Sequence, residues 1–159
     1  MPTKKKYIEP TPKKNPPNDF MEFAVKSLKA QLFLDIVLDV KPTPLSRPRT
    51  GQGRVYTDAK SIAAEKLCRD IMRIYMSFKE IIPISQKVLT ETIFYDAYAR
   101  RKDLDNLVKL IHDAGNKTIW EDDSSIIGNF SFLNKNCPWE GMGLRVYTLP
   151  LETYFPPRN

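Results

Sequence analysis

The chain is 159 residues long and 42% hydrophobic, enough for one domain with a single buried core. No apolar run approaches the roughly 18 residues of a membrane span, and the N-terminus lacks the apolar stretch of a signal peptide, so a cytoplasmic protein with no membrane partner is expected. Twenty-five Lys and Arg against 19 Asp and Glu leave a formal charge of +6, while two cysteines and one histidine leave no material for a disulfide framework, a zinc cluster or a Ser-His-Asp triad.

Residues 1–20 come first, a Lys- and Pro-rich arm. Lys4, Lys5, Lys6, Lys13 and Lys14 stand against Glu9 alone, and five prolines interrupt any apolar period, so an extended segment without a core of its own is expected. The folded domain should occupy 21–150, with a short C-terminal tail over 151–159 marked by Pro156 and Pro157. In Gln31 to Val40, Leu32, Leu34, Ile36 and Leu38 alternate with Phe33 and Val37, which predicts a strand covered at least partly on both faces. The next stretch, from Lys41 to Tyr56, is too rich in Pro and Gly for a regular element. It is a loop that carries Arg47, Arg49 and Arg54 between turn residues, a composition suited to phosphate contact or to plain solvation.

Asp58 can cap a helix running to about Lys79, whose expected core stripe is Ala64, Leu67, Ile71, Ile74, Tyr75 and Phe78. Cys68 falls in the same pattern as a small buried residue. Lys87 to Tyr98 is β-branched and aromatic, a second strand that delivers the chain into Arg100-Arg101-Lys102. A further helix should run from about Leu104 to Ala114. At 100° per residue, Leu104, Leu107, Val108, Ile111 and Ala114 share one arc, and Asp105, Asn106, Lys109, His112 and Asp113 the opposite one. Strands near 125–134 and 142–149 complete the order β-α-β-α-β-β. The expected fold is therefore α+β (mixed α/β), a single four-stranded sheet with two main helices largely on one face.

The window from Arg100 to Lys109, with Asp122 and Asp123 beyond it, mixes carboxylates and cations closely. Carboxylate oxygens suit Mg²⁺, which takes one or two carboxylates and completes its shell with water and phosphate. Flanking cations suit a phosphodiester. A plainer reading also exists: Asp103 caps the helix, Asp105 favours its positive end, and Lys109 and Asp113 continue an exposed salt-bridged face. The pair Asp122-Asp123 weighs against it, because a turn there could return these acids to the start of the helix. A calcium loop fits poorly, since Val108 stands where an EF-hand needs glycine and Ala114 where it needs glutamate.

The run Asp103-Leu104-Asp105-Asn106-Leu107-x-Lys109, then Asp113-Ala114, then Trp120-x-Asp122-Asp123-x-x-Ile126, strongly resembles the RusA family of Holliday junction resolvases. Ser46-Arg47-Pro48-Arg49 with Val55-Tyr56 looks like that family's basic loop, and the likeness extends from about Phe33 to Leu149. The resemblance implies a small homodimeric endonuclease with no small-molecule cofactor that uses Mg²⁺, with Mn²⁺ an acceptable substitute, to nick opposed strands of a four-way DNA junction in recombination and repair. It assigns Asp103, Asp105 and Asp123 as essential carboxylates on metal, Asp122 as a neighbouring metal-side acid, and Lys109 as the catalytic lysine. Arg47, Arg49, Arg54, Arg100, Arg101, Lys102 and Asn106 would hold the DNA. The chain departs from the pattern in its Lys/Pro arm, in a compressed stretch between Asp113 and Trp120, and in Ser125 where Gln is common. Two rival readings are a related metal-dependent nuclease acting on other branched or single-stranded DNA, and a non-catalytic DNA-binding protein.

Overall fold

A computed structural model describes residues 19–45, 49–51, 54–56, 58–98 and 101–150. The expected N-terminal arm up to residue 18, the tail beyond 150, Arg47 and Arg100 lie outside the described residues. Four long strands, β1 (Gln31–Leu38), β4 (Val88–Asp96), β5 (Ile126–Lys135) and β6 (Gly141–Thr148), form one sheet in the order β1-β6-β4-β5. Neighbours are antiparallel except β4 and β5, which run parallel. A parallel pair needs a crossover, and helix α3 (Leu104–Gly115) supplies it. This is the α+β fold expected, with the two main helices α2 (Ala59–Phe78) and α3 in the order anticipated.

One sheet face carries the core. Leu34, Ile36 and Leu38 of β1, Phe94 of β4, and Met142, Leu144 and Val146 of β6 are buried against Cys68, Met72 and Met76 of α2 and Leu107, Leu110, Ile111 and Ala114 of α3. Burial pushes the Cys68 thiol up to about 12, with the nearby Glu65 charge adding to it against a backbone hydrogen bond, so this cysteine is an inert core residue. Among the described residues no helix is long and apolar enough to cross a membrane.

The structure adds and corrects several elements. A first helix, α1 (Asp19–Ser27), packs Met21 against Leu89 and Leu149 on the other sheet face. Within the Arg-rich loop, β2 (Arg49–Gly51) and β3 (Arg54–Tyr56) pair as a short antiparallel hairpin, so the loop is more regular than its composition suggested. Strand β1 is an edge whose register shifts between Leu32 and Leu34, so the expected alternation breaks there: Phe33 packs against the core, while Leu32 and Val37 are 56% and 65% exposed. In α2 the expected stripe is only partly inward: Leu67, Ile74 and Phe78 are 50%, 70% and 81% exposed. Apolar residues encircle more than one arc of this helix. Contact with the sheet and α3 selects the i,i+4 line of Cys68, Met72 and Met76, with Ala64, Ile71 and Tyr75 on its flank.

Candidate nucleic-acid cleavage site

Helix α3 is amphipathic as its sequence demands. Its N-cap is Asp103, whose Oδ1 accepts the Asp105 amide at 3.1 Å and whose Oδ2 accepts from Asn106 Nδ2 at 2.9 Å. The Leu45 amide donates to the Asn106 carbonyl at 3.2 Å, which pins the chain after β1 to the start of α3. At the other end the Trp120 ring lies over Gly115, where a Cβ would come within 2.5 Å of ring carbon Cζ2. Glycine is therefore required there for close approach.

The polar arc of α3 lines a pocket of about 410 Å³ with the strand beyond it. Asp105, Lys109, His112 and Asp113 come from the helix, Asp123 from a 3₁₀ turn (Asp123–Ser125), and Asn129 and Ser131 from β5. Asp122 precedes that turn as its cap, with Oδ1 accepting the Ser124 amide at 2.9 Å. Hydrogen bonds from the Ser124 side chain and amide hold the Asp122 carboxyl below its ordinary value. Asp103 and Asp122 thus perform one task at two places. Each caps a helical turn, and Asp105 and Asp123, which follow them, enter the pocket.

Beneath the acids runs a polar floor. The parallel register sets Thr90 opposite Asn129 and Thr92 opposite Ser131. Thr90 Oγ1 donates to Asn129 Oδ1 at 2.9 Å, and Thr92 Oγ1 lies 2.7 Å from Ser131 Oγ. Thr90 Oγ1 is also 3.3 Å from His112 Nε2. With its proton given to Asn129, the Thr90 hydroxyl is left to accept, which places the ring hydrogen on Nε2. The ring meets Trp120 edge-on at 5.9 Å. Burial lowers the His112 pKa from 6.5 against the opposing pull of Asp123 and Asn129, so the ring is neutral at pH 7. Burial likewise raises Asp113, with Glu65 and Asp123 adding to the shift and Lys109 and Arg69 opposing it.

The predicted site residues therefore separate into groups. Asp105, Lys109 and Asp123 are brought together, exposed, and make no ion pair among the described residues. Asp103 and Asn106 face each other at the helix start and do not line the pocket. Lys102, expected on DNA, is instead engaged internally: Nζ lies 3.0 Å from Oδ2 of fully buried Asp96 and donates to the Pro42 carbonyl at 2.8 Å. Arg101 is exposed, and Arg49 and Arg54 stand in the hairpin. His112, placed on the polar arc but given no role from the sequence, joins the pocket, as do Asn129 and Ser131, which the sequence did not single out. His112 was findable, lying seven residues after Asp105 on the same helix arc, whereas the other two depend on the β4–β5 register.

The donors suit a hard divalent ion. Two carboxylates, Asp105 and Asp123, with hydroxyl and amide oxygens nearby, match the one or two carboxylates that Mg²⁺ uses beside water and phosphate. Among the described residues no three His, Cys, Asp or Glu side chains are gathered in metal-holding geometry, in keeping with Asp103 being turned to its cap. A family model described as Endodeoxyribonuclease RusA matches residues 39–132, more than half of the chain and every pocket-lining residue named above. No curated protein matches the sequence.

Proposed function

Because the chain belongs to the RusA endodeoxyribonuclease family, we propose that this nuclease resolves four-way DNA junctions by paired symmetric nicks, as a homodimer, in recombination and repair. The observation that supports the reading is the pocket itself, in which Asp105, Asp123 and Lys109 converge from two elements and make no ion pair among the described residues. DNA binding alone gains nothing from carboxylates aimed at phosphates.

Asp105 and Asp123 would hold Mg²⁺, or Mn²⁺ in its place, with Asp103 and Asp122 fixing the turns from which they project. When bound, the ion would supply Lewis acidity towards a phosphoryl oxygen and a water of lowered pKa for in-line attack. Lys109 places its ammonium against the charge that develops on the phosphoryl oxygens. Asn129 and Ser131, hydrogen-bonded to Thr90 and Thr92, add polar oxygens to the same pocket. Arg101 and the hairpin arginines Arg49 and Arg54 bind the arms. Two-fold symmetry of a four-way junction matches a two-fold protein with one site per subunit.

The test offers a synthetic four-way junction, a duplex and a single strand to wild type and to Asp105→Asn in Mg²⁺. Paired nicks confined to the junction, lost in the variant with junction binding retained, are expected. Equal cutting of all three substrates would replace the resolvase by a nuclease of broader substrate range. Binding without any cutting would leave only a DNA-binding protein.

A further inference from the structure

A second concavity of about 390 Å³ adjoins the first. It opens between α2 and the C-terminal end of α3 and is lined by Glu65, Arg69, Arg73, Asp113, Asn116 and Lys117. Asp113 lines both cavities, so the two are neighbours across that residue. The wall is built rather than loose. Arg69 pairs with Glu65, and its Nη2 donates to the Asp113 carbonyl at 2.9 Å, which locks α2 to the end of α3. The turn that carries Asn116 and Lys117 is closed by the Asn116 amide on the His112 carbonyl at 3.0 Å and the Lys117 amide on the Trp120 carbonyl at 2.8 Å.

Three cations, Arg69, Arg73 and Lys117, stand on this wall against two acids, Glu65 and Asp113, a surplus of one charge. Arg69 is neutralised by Glu65, but Arg73 is 61% exposed and only 4.0 Å from Asp70 at its closest, and Lys117 makes no ion pair among the described residues. Asn116 lines the same opening, and its Oδ1 has no hydrogen-bond partner among the described residues, so turning the amide to offer its two N–H donors to a phosphate would break no bond of that oxygen. An arginine fork, an ammonium and an amide around one opening are suited to phosphate. The feature arises from the short connection between Asp113 and Trp120, which brings Lys117 back towards α2.

We propose that this groove is a second phosphate site, which takes a backbone phosphate of the cleaved strand next to the scissile one and holds it with Arg73 and Lys117 on the fixed base of Arg69 and Asn116. The proposal rests on the nuclease reading of the adjoining pocket. It gives the strand a defined direction across the protein, from Lys109 past Asp113 to Lys117.

The experiment measures affinity for a fluorescent four-way junction at several salt concentrations, in an Asp105→Asn background that prevents cutting, with and without Arg73→Gln/Lys117→Gln. Losing one phosphate contact should reduce the slope of log K against log salt by about 0.9 and weaken binding about eightfold at 0.1 M salt. Lys26→Gln/Lys60→Gln removes the same charge elsewhere and should change neither as much. A single neutral methylphosphonate beside the scissile position should weaken binding by the parent protein and leave the Arg73→Gln/Lys117→Gln protein unaffected. An unchanged slope, or an equal loss in the Lys26/Lys60 control, overturns the second site. If wild type cuts no DNA while the groove variant still loses affinity, it is the reading of the pocket that falls instead, and failure of wild type to bind DNA at all removes both.

Discussion

Two sets of opposite charges lie within a few residues of each other and have opposite fates. Asp96 and Lys102 are 0% and 11% exposed at the side chain, paired at 3.0 Å, and tied to the Tyr98 amide and the Pro42 carbonyl. Asp105, Lys109 and Asp123 use the same residue types, yet they stand open to solvent around a pocket. The first set joins the end of β4 to the connection after β1 and is consumed by the fold. The second is supported by the fold, through two capping aspartates and a threonine-lined floor, and is left unneutralised. Residue type does not separate structure from function in this protein; what separates them is whether the charge already has its partner.

The largest expected effect breaks the first set. Lys102→Met leaves Asp96 buried and unpaired, which should cost about 3–5 kcal/mol in chemical denaturation. Asp96→Asn/Lys102→Met should recover much of that. A loss below about 1 kcal/mol for the single change would show that the pair is no more than a surface contact. Burial pushes the Asp96 carboxyl up, but the Lys102 and Tyr98 hydrogen bonds and the charges of Lys102 and Lys41 outweigh this and leave it lowered. Its contribution to stability is therefore present above the ordinary 3.8 and lost as pH falls through the folded value.

Next in size is Gly115→Ala, which drives a methyl group into the Trp120 ring and should cost about 1–3 kcal/mol while also displacing the end of α3. Unchanged stability together with unchanged cleavage would mean that Trp120 can move without consequence for the pocket. A smaller effect concerns the floor. His112 is neutral in the fold and its pKa lies below 6.5, so the stability that depends on the neutral ring is complete above 6.5 and lost as pH falls below it. Between pH 7 and 5.5 wild type should lose stability that His112→Gln does not. Parallel curves for the two proteins would place His112 outside the buried network.

Much of this was legible in the sequence because it is periodic. The arc of α3, the four long strands and the approach of Asp123 to Asp105 follow from the spacing of apolar residues and from the position of a turn. Asp103 was readable both as a cap and as a metal ligand, and the structure shows it capping. What the sequence concealed is long-range. The partner of Lys102 lies in the preceding strand across an irregular connection, for which no spacing rule exists. Asn129 and Ser131 become pocket residues only through the parallel register with Thr90 and Thr92. Leu67, Ile74 and Phe78 have helical spacing, yet spacing alone does not say which of two apolar arcs the sheet will take.

The openness of the second charge set is what a divalent ion would neutralise. Following thermal unfolding during a Mg²⁺ titration near pH 7 measures it in a single experiment. Wild type should gain stability as Mg²⁺ neutralises Asp105 and Asp123, by about 2.7 kcal/mol when the ion is at 100 times its dissociation constant, and Asp105→Asn/Asp123→Asn should gain nothing. No gain in wild type, or an equal gain in both proteins, would contradict the claim that these carboxylates form the metal site.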